Sequence, residues 1–255
     1  MNRAWPPGML PRHVRHRGRG PAILFDLDGT LIDPAGGITG GIAHALQAAG
    51  HAPPDEATLR AMVGPKLPDA LLTHTSAPPG KIPEIVATYR RWYAETGMAM
   101  GKVYPGVIDL LDTLVDEGIT LGVATQKPQA LAHAILRKQG IHVYFDVIAG
   151  APDQEALAPG QQGFTPGKAD IIASALDALS PTTAVMIGDR AQDVEGALAN
   201  NIACVGAGWG YGSSGELKEA GAVIVLPEAK DITPQLLREV SRYPAHPVRR
   251  GAKTP

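Results

Sequence analysis

Short apolar runs alternate with amphipathic segments along most of this 255-residue chain. Six runs of five to seven residues, rich in Val, Ile, Leu and Ala, lie at 22–26, 119–125, 145–150, 183–189, 202–208 and 222–226. Nearly unbroken apolar runs of this length are typical of parallel strands that are buried on both faces. Because amphipathic helical segments separate most of these runs, we predict strand–helix–strand crossovers and an α/β fold, with a parallel sheet flanked by helices.

Residues 38–102 interrupt that alternation. They show only helical periodicity, and Ile82, Val86 and Tyr89 fall on one stripe of the last helical segment. We therefore predict an all-helical cap domain of four helices, inserted after the first core strand. The predicted boundaries are 21–37 and 103–240 for the core domain and 38–102 for the cap domain.

The two ends of the chain differ from its body in charge. Residues 1–20 and 241–255 hold nine Lys and Arg and no acid, and they lack apolar periodicity, which predicts two flexible basic tails. Subtracting these nine charges from the net charge of −2 leaves −11 for residues 21–240. The overall balance excludes a dedicated nucleic-acid binder, and we expect nucleic acid to bind, if at all, only through the tails.

Cysteine content and hydropathy indicate the cell compartment in which the protein is expected. The single cysteine, Cys204, excludes an intramolecular disulfide and a Cys-rich metal site. No apolar run approaches the roughly 18 residues that a membrane-spanning helix needs. The N-terminus also lacks the basic-then-apolar pattern of a signal peptide. We expect a cytoplasmic protein with no membrane partner, and the sequence leaves its oligomeric state open.

A pair of carboxylates, Asp26 and Asp28, follows the first predicted strand in the sequence FDLDGT at 25–30. Gly29 lets the chain turn, so both carboxylates can face the carboxyl edge of the sheet, where open α/β sheets bind ligands. Paired carboxylates suit a hard divalent cation, and one of them can also attack a phosphorus atom. The alternative is an ordinary strand-to-turn junction in which Asp and Gly only form the turn.

A second acidic pair, Asp189 and Asp193, follows the predicted strand at 183–189. The spacing of four allows one carboxylate at the strand end and the other one helical turn later, with Arg190 between them to offset their repulsion. The alternative is a helix cap by Asp189 with Asp193 in the first turn.

Two further positions suit an anion. Thr125 ends the predicted strand at 119–125, so its hydroxyl and the N–H groups that follow, beginning at Gln126, can bind a phosphate at a helix N-terminus. Lys168 opens a predicted helix, where the helix dipole disfavours a cation. That local cost favours a role in anion binding for Lys168.

Together and in this order, the motifs resemble the haloacid dehalogenase (HAD) superfamily of phosphohydrolases. The signature of that family is DxDGT, a Ser or Thr after a second core strand, a Lys, and GDxxxD. Lys168 precedes Asp189 by 21 positions, within the spacing of the family. Gly64-Pro65 and the sequences VYPG at 103–106 and WGYG at 209–212 are most similar to phosphoglycolate phosphatase-like members, whereas Gln126 stands where Asn or Ser is usual.

The resemblance implies a HAD-like Rossmannoid core and a Mg²⁺-dependent phosphomonoesterase for a small phosphorylated metabolite. Asp26 would attack the phosphorus to give an aspartyl-phosphate, and Asp28 would protonate the leaving alcohol and later activate water. The implied metal ligands are Asp26, the Asp28 carbonyl, Asp189, and Asp193 through water or Lys168. The implied phosphate-binding residues are Gly29, Thr30, Thr125, Gln126 and Lys168. Gly64 and Lys66 of the cap are expected to set substrate specificity.

Several alternatives stay open. Asp28 distinguishes the chain from haloacid dehalogenases and phosphonatases, although Lys66 invites comparison with the Schiff-base lysine of the phosphonatase insert. A nucleoside 5′-monophosphate phosphatase and a sugar-phosphate mutase of the same superfamily share both aspartates. A protein of another class would bind a polyanion through its basic tails and use the core as a scaffold.

Overall fold

The computed structural model describes residues 20–152 and 166–243. The strands within these ranges are β1 (Pro21–Phe25), β2 (Ile32–Asp33), β3 (Lys102–Val103), β4 (Thr120–Pro128), β5 (Val147–Ala151), β6 (Thr183–Gly188), β7 (Ala203–Ala207) and β8 (Ile224–Leu226). Six of them form one parallel sheet in the order β5-β4-β1-β6-β7-β8. Each predicted strand coincides with one of the six to within three residues at either end, so the predicted parallel α/β fold is confirmed.

The helices flank this sheet and fill the insertion. Those in the described ranges are α1 (Gly37–Ala48), α2 (Glu56–Ala61), α3 (Leu67–His74), α4 (Ile82–Trp92), α5 (Met98–Met100), α6 (Val107–Asp116), α7 (Gln129–Lys138), α8 (Lys168–Leu179), α9 (Ala191–Ala199), α10 (Ser214–Ala220) and α11 (Pro234–Val240). In α6 the buried residues Val107, Leu110, Leu111, Leu114 and Val115 form one apolar stripe, as a helix packed on a sheet requires. None of the helices in the described ranges is long and apolar enough to cross a membrane.

The apolar core lies on both faces of the sheet. Along β1, Ile23 and Phe25 belong to one cluster of buried side chains and Leu24 belongs to the other, because successive side chains of a strand point to opposite faces. The first cluster continues without interruption into the inserted helices through Ile42 and Ile85. The nearly unbroken apolar strands of the sequence are therefore explained by burial on both sides.

The helical insert, which we define as the chain between β2 and β3, begins and ends at the same place. The two short strands pair antiparallel, with Ile32 opposite Val103 and Asp33 opposite Lys102. Runs of two residues carry no periodicity, which is why the sequence did not reveal this pairing. The four predicted helices correspond to α1–α4, and α4 continues into a π-helical turn at Tyr93–Gly97. Their assignment to a separate cap domain, with the predicted boundaries, remains a prediction.

Helix α11 was not predicted, although the sequence holds a signal for it. Thr233 caps its N-terminus by accepting a hydrogen bond from the Leu236 N–H at 3.1 Å, and Pro234 occupies the first helical position. The predicted basic tails at 1–20 and 241–255 lie outside the described residues, apart from Gly20 and 241–243. Their flexibility therefore stays a prediction.

Candidate active site

Three adjacent strands bring the acidic motifs to one edge of the sheet. Strand β1 lies between β4 and β6, so the residues at their carboxyl ends become neighbours although they are far apart in sequence. Asp26 follows β1, and its N–H donates to the Ile187 carbonyl of β6 at 2.9 Å. Asp189 follows β6 directly. Ligand sites in open α/β sheets form at this edge, so the topology positions both carboxylates for binding.

Lys168 joins two of the carboxylates by ion pairs. Its Nζ lies 2.5 Å from Asp26 Oδ1 and 2.6 Å from Asp193 Oδ1, and all three side chains are buried. Burial alone would lower the pKa of Lys168, but Asp193 and Asp26 outweigh it and raise that pKa, so the ammonium stays charged. Burial raises the pKa of Asp193 to about 6, partly opposed by Lys168. Lys168 opens α8, as predicted.

Asp189 is the most enclosed acid of the site. It is 0% exposed, and its carboxylate accepts hydrogen bonds from the Thr30 hydroxyl at 3.2 Å and from the Tyr211 N–H at 2.8 Å. Burial raises the pKa of Asp189 well above its usual range, and the neighbouring charges of Asp193 and Asp26 add to this effect. The hydroxyl of Thr30, which the resemblance assigned to phosphate, is thus directed at a carboxylate.

The residues present fit a divalent cation. One carboxylate oxygen from each of Asp26, Asp189 and Asp193 lies within 4.8 Å of the other two, and all three groups are buried. Lys168 contacts only two of these acids, so the cluster keeps an excess of negative charge in a region of low dielectric. Carboxylate oxygens are the donors that Mg²⁺ prefers. A divalent cation here would offset both the burial and the repulsion by Asp193 and Asp26 that raise the pKa of Asp189.

Two glycines let the backbone approach Asp189. Gly29 has a φ of +88°, and a Cβ built on it would lie 2.2 Å from Asp189 Oδ2. A Cβ on Gly210 would lie 2.4 Å from the Asp189 Cβ. Because any side chain at these positions would displace the carboxylate, glycine is required at both for the acid cluster to form.

Asp28 is paired with a lysine that the sequence analysis did not assign. Lys127 Nζ lies 2.6 Å from Asp28 Oδ2, while the buried Asp28 Oδ1 accepts no hydrogen bond from the described residues. Burial raises the pKa of Asp28, and Lys127 partly opposes this. Lys127 also lies 4.7 Å from the centre of the Tyr93 ring, so it contacts the helical insert as well. The two partners are 99 positions apart, and no local pattern pairs them.

Thr125 lies inside a strand and does not end one. Strand β4 continues to Pro128, with an irregular register between Ala124 and Pro128, and α7 begins only at Gln129. The predicted strand end at Thr125 is therefore wrong by three residues, whereas the helix predicted from Pro128 begins within one residue of its predicted start. The Thr125 hydroxyl accepts a hydrogen bond from the Lys127 N–H at 3.2 Å, which shapes the strand end beside Asp28.

A cavity of about 430 Å³ opens between the sheet edge and the insert. The core contributes Asp26, Asp28, Thr125, Gln126 and Lys127 to its lining. The insert contributes residues that include Gly64, Lys66, Val86, Tyr89 and Tyr93, so both positions predicted for specificity line the cavity. The rings of Tyr89 and Tyr93 stack with centroids 5.6 Å apart. The cavity therefore has a charged floor and a largely apolar, aromatic wall.

A comparison with known protein families identifies the chain. A family model described as haloacid dehalogenase-like hydrolase matches residues 23–207, which is well over half of the sequence. The protein is a haloacid dehalogenase-like hydrolase. The match spans the predicted motifs from FDLDGT at 25–30 to the acidic pair Asp189 and Asp193, and so confirms the resemblance drawn from the sequence.

Named relatives of this hydrolase have several activities. It is 38% identical over 202 residues to a 5′-nucleotidase of Pseudomonas aeruginosa, which covers 78% of the chain and 88% of the relative. It is 36% identical over 221 residues to the tyrosine-protein kinase PtkA of Mycobacterium tuberculosis, and the match covers 86% of this chain and 72% of the kinase. A phosphoglycolate phosphatase of Agrobacterium fabrum is 28% identical over 225 residues, covering 86% and 94%.

A solved structure agrees with the fold of the hydrolase. A protein of Clostridium acetobutylicum described as a predicted phosphatase superimposes with a TM-score of 0.76 at 34% identity, covering 88% of this chain and 99% of that chain. The family match and the phosphatase relatives make this haloacid dehalogenase-like hydrolase a phosphomonoesterase.

Proposed function

We propose that the protein hydrolyses a phosphomonoester with a ring-containing leaving group, of the nucleoside 5′-monophosphate class, by Mg²⁺-dependent transfer of the phosphoryl group to Asp26. The observation that carries this proposal is the position of Asp26. Its buried carboxylate belongs to the three-acid cluster, is paired with Lys168, and lines the cavity. A carboxylate that faces both a cation site and a ligand cavity is suited to nucleophilic attack on phosphorus.

In the first step, a carboxylate oxygen of Asp26 forms a bond to phosphorus while the bond from phosphorus to the ester oxygen breaks. Asp28 donates a proton to that leaving oxygen. Burial, which raises the pKa of Asp28, favours the protonated form, and Asp28 Oδ1 accepts no hydrogen bond from the part of the chain that the structure describes. In the second step Asp28 accepts a proton from water, the water oxygen attacks the aspartyl-phosphate, and Asp26 and inorganic phosphate are released.

The charge of the phosphoryl group is neutralised from two sides. Lys168 and the Thr125 hydroxyl bind its non-bridging oxygens, together with the backbone near Gly29 and Gln126. Asp26, Asp189 and the Asp28 carbonyl would hold Mg²⁺, which would supply Lewis-acid charge neutralisation to the phosphoryl group. Asp193 orients Lys168 through their ion pair.

The size and lining of the cavity support the larger substrate. A volume of about 430 Å³ is far more than a two-carbon ester such as 2-phosphoglycolate fills. The stacked Tyr89 and Tyr93 rings offer an aromatic surface on which a planar ring can pack. The relative named 5′-nucleotidase shares 38% identity, against 28% for the phosphoglycolate phosphatase. We therefore favour a nucleotide-type leaving group over glycolate.

A panel of esters tests this proposal. Purified protein with Mg²⁺ is assayed for phosphate release from nucleoside 5′-monophosphates, 2-phosphoglycolate, phosphotyrosine and p-nitrophenyl phosphate, and for interconversion of a hexose 1-phosphate and 6-phosphate. We expect kcat/KM to be highest for a nucleoside 5′-monophosphate, and EDTA to abolish turnover reversibly. A preference for 2-phosphoglycolate, or mutase turnover without phosphate release, would overturn the substrate class. An ATP-dependent transfer to a tyrosine peptide, which the PtkA relative suggests as a control assay, would overturn the reaction itself.

A further inference from the structure

Arg190 reaches from the sheet edge into the helical insert. It follows Asp189 directly, yet its side chain turns away from the acid cluster. Its Nη1 donates to the carbonyl of Val63 at 2.5 Å and to that of Ala61 at 3.3 Å, where α2 ends. The charge of Arg190 opposes the rise in the pKa of Asp189, in line with its predicted role between Asp189 and Asp193, while its side chain also connects two parts of the molecule.

The chemistry of a helix end explains this contact. The last carbonyls of a helix have no partner within it, and they carry the negative end of the helix dipole. A guanidinium supplies charge and several donors in a rigid fork. The other side of the fork is fixed, because Arg190 Nε donates to Glu216 Oε1 at 2.9 Å and the same oxygen accepts from the Ala191 N–H at 2.9 Å. The side chain of Arg190 is only 12% exposed.

The stem of Arg190 also packs against the next residue of the insert. Gly64 has a φ of +107°, and a Cβ built on it would lie 2.8 Å from Arg190 Cγ. Gly64 therefore needs to be glycine both for its backbone conformation and for the approach of Arg190. The segment 64–66 that begins here lines the cavity.

A second contact holds the same end of α2 to the surroundings of Asp189. The guanidinium of Arg60 lies 4.7 Å above the Tyr211 ring, and the Tyr211 N–H donates to Asp189 Oδ2 at 2.8 Å. The end of α2 is thus attached at two points to residues that neighbour or bind Asp189. Attachment at two points fixes the orientation of a segment as well as its distance.

We propose that Arg190 is a positioning residue that holds segment 64–66 over the cavity and thereby sets which leaving groups fit. The inference rests on the phosphomonoesterase activity and on the large leaving group proposed above. Arg190 touches no reacting atom in this arrangement. It acts through Val63 and Gly64, so its loss changes recognition of the leaving group and leaves phosphoryl transfer intact.

The kinetic test compares Arg190→Ala and Arg190→Lys with the wild type on two substrates. One is a nucleoside 5′-monophosphate, and the other is acetyl phosphate, whose acetyl group is far smaller than a nucleoside. Loss of a charge-assisted hydrogen bond should raise KM for the nucleotide about tenfold in both variants, while kcat for acetyl phosphate changes less than about threefold. Lysine keeps the positive charge near Asp189 but cannot reproduce the forked contact, so it should not rescue KM.

The Mg²⁺ dependence of activity separates this role from an effect through Asp189. We expect the Mg²⁺ concentration for half-maximal activity to be unchanged in both variants. An equal loss of kcat on both substrates, a raised Mg²⁺ requirement, or full rescue by Arg190→Lys would overturn the proposal, since each points to charge at the acid cluster.

A stability measurement tests the packing without any substrate, so it stands even if the nucleotide proposal fails. In urea denaturation, Gly64→Ala should shift the midpoint down in the wild type. The shift should be smaller in the Arg190→Ala background, because the clash with the Arg190 stem is gone and only the backbone strain remains. Equal shifts in the two backgrounds would show that Arg190 does not hold Gly64 in place.

Discussion

The floor of the cavity and its wall are built in opposite ways. On the floor, Asp28 pairs with Lys127 at 2.6 Å, and Asp26 pairs at 2.5 Å with Lys168, which is buried outside the lining of the cavity. On the wall, Tyr89 and Tyr93 contribute ring faces. The ion pairs leave little freedom for the groups of the floor, which suits a reaction that depends on charge and position. The wall is mostly apolar and aromatic, with Lys66 and Arg90 as its charged groups, which suits a part of the site that selects the leaving group largely by shape.

Removal of the proposed nucleophile should have the largest effect on activity. It tests whether the residues of the floor carry out phosphoryl transfer. Asp26→Asn keeps the shape of the side chain but removes the attacking charge, so turnover of p-nitrophenyl phosphate should fall by about 10⁴-fold or more. Steady-state kinetics with Mg²⁺ measures the loss. Asp177→Asn, at an exposed carboxylate of α8, is the matched control and should keep full activity. Residual turnover within tenfold of the wild type would exclude Asp26 as nucleophile.

Removal of Lys127, which leaves the buried Asp28 unpaired, should have the next largest effect. It tests whether the ion pair between these two residues contributes to the stability of the protein. Lys127→Met leaves Asp28 buried without its partner, which should lower the free energy of unfolding by about 3 kcal/mol. The double variant Lys127→Met/Asp28→Asn removes both charges and should recover much of that loss. Urea denaturation at neutral pH measures both. Strictly additive costs would mean that the pair at 2.6 Å contributes no coupling.

Binding of Mg²⁺ at the acid cluster should raise the free energy of unfolding of the protein by a similar amount. A ligand present at about 100 times its Kd stabilises the folded state by roughly 2.7 kcal/mol, so saturating Mg²⁺ should raise the thermal midpoint by several degrees. The shift should vanish in Asp189→Asn, which removes one of the three clustered carboxylates. Differential scanning fluorimetry with and without Mg²⁺ measures it. An unchanged shift in Asp189→Asn would place the cation elsewhere.

Changes in the wall should have the smallest effect, and only on large substrates. Tyr89→Leu removes a ring worth about 1 kcal/mol of stacking, so KM for a nucleoside 5′-monophosphate should rise roughly fivefold. The kcat for acetyl phosphate should not change. Leu72→Ala, at a residue of the insert that is 42% exposed, serves as the control and should affect neither substrate. A similar loss on both substrates would mean that the wall takes part in the chemistry after all.

Much of this organisation could be predicted from the sequence, because a parallel sheet brings the residues that follow its strands to one edge. Nearly unbroken apolar runs predicted the sheet, and parallel strands then bring Asp26, Thr125 and Asp189 to a common edge without further information. Lys168 was instead predicted from its place at the start of a helix and from the 21-residue spacing to Asp189 that the family resemblance implies. That these residues lie together is now a structural fact, and their catalytic roles remain proposals.

What the sequence could not predict are contacts between distant segments. Lys127 pairs with Asp28, which is 99 positions away, and Arg190 donates to the carbonyl of Val63, which is 127 positions away. No sequence periodicity predicts such contacts. The extension of β4 past Thr125 depends on its pairing with β5 through Pro128 and Ala151. Such features arise from tertiary packing, which overrides the local pattern.

The pairing of β2 with β3 has a consequence for how such enzymes diversify. Because Ile32 faces Val103 and Asp33 faces Lys102, the chain leaves the catalytic half and rejoins it at adjacent points. A segment whose ends meet can be lengthened, shortened or exchanged without displacing the strands that carry the acids, since loop closure depends only weakly on length. We expect that grafting the insert of a related hydrolase between residues 33 and 102, with the core contacts of Ile42 and Ile85 retained, would keep the reaction and change the substrate.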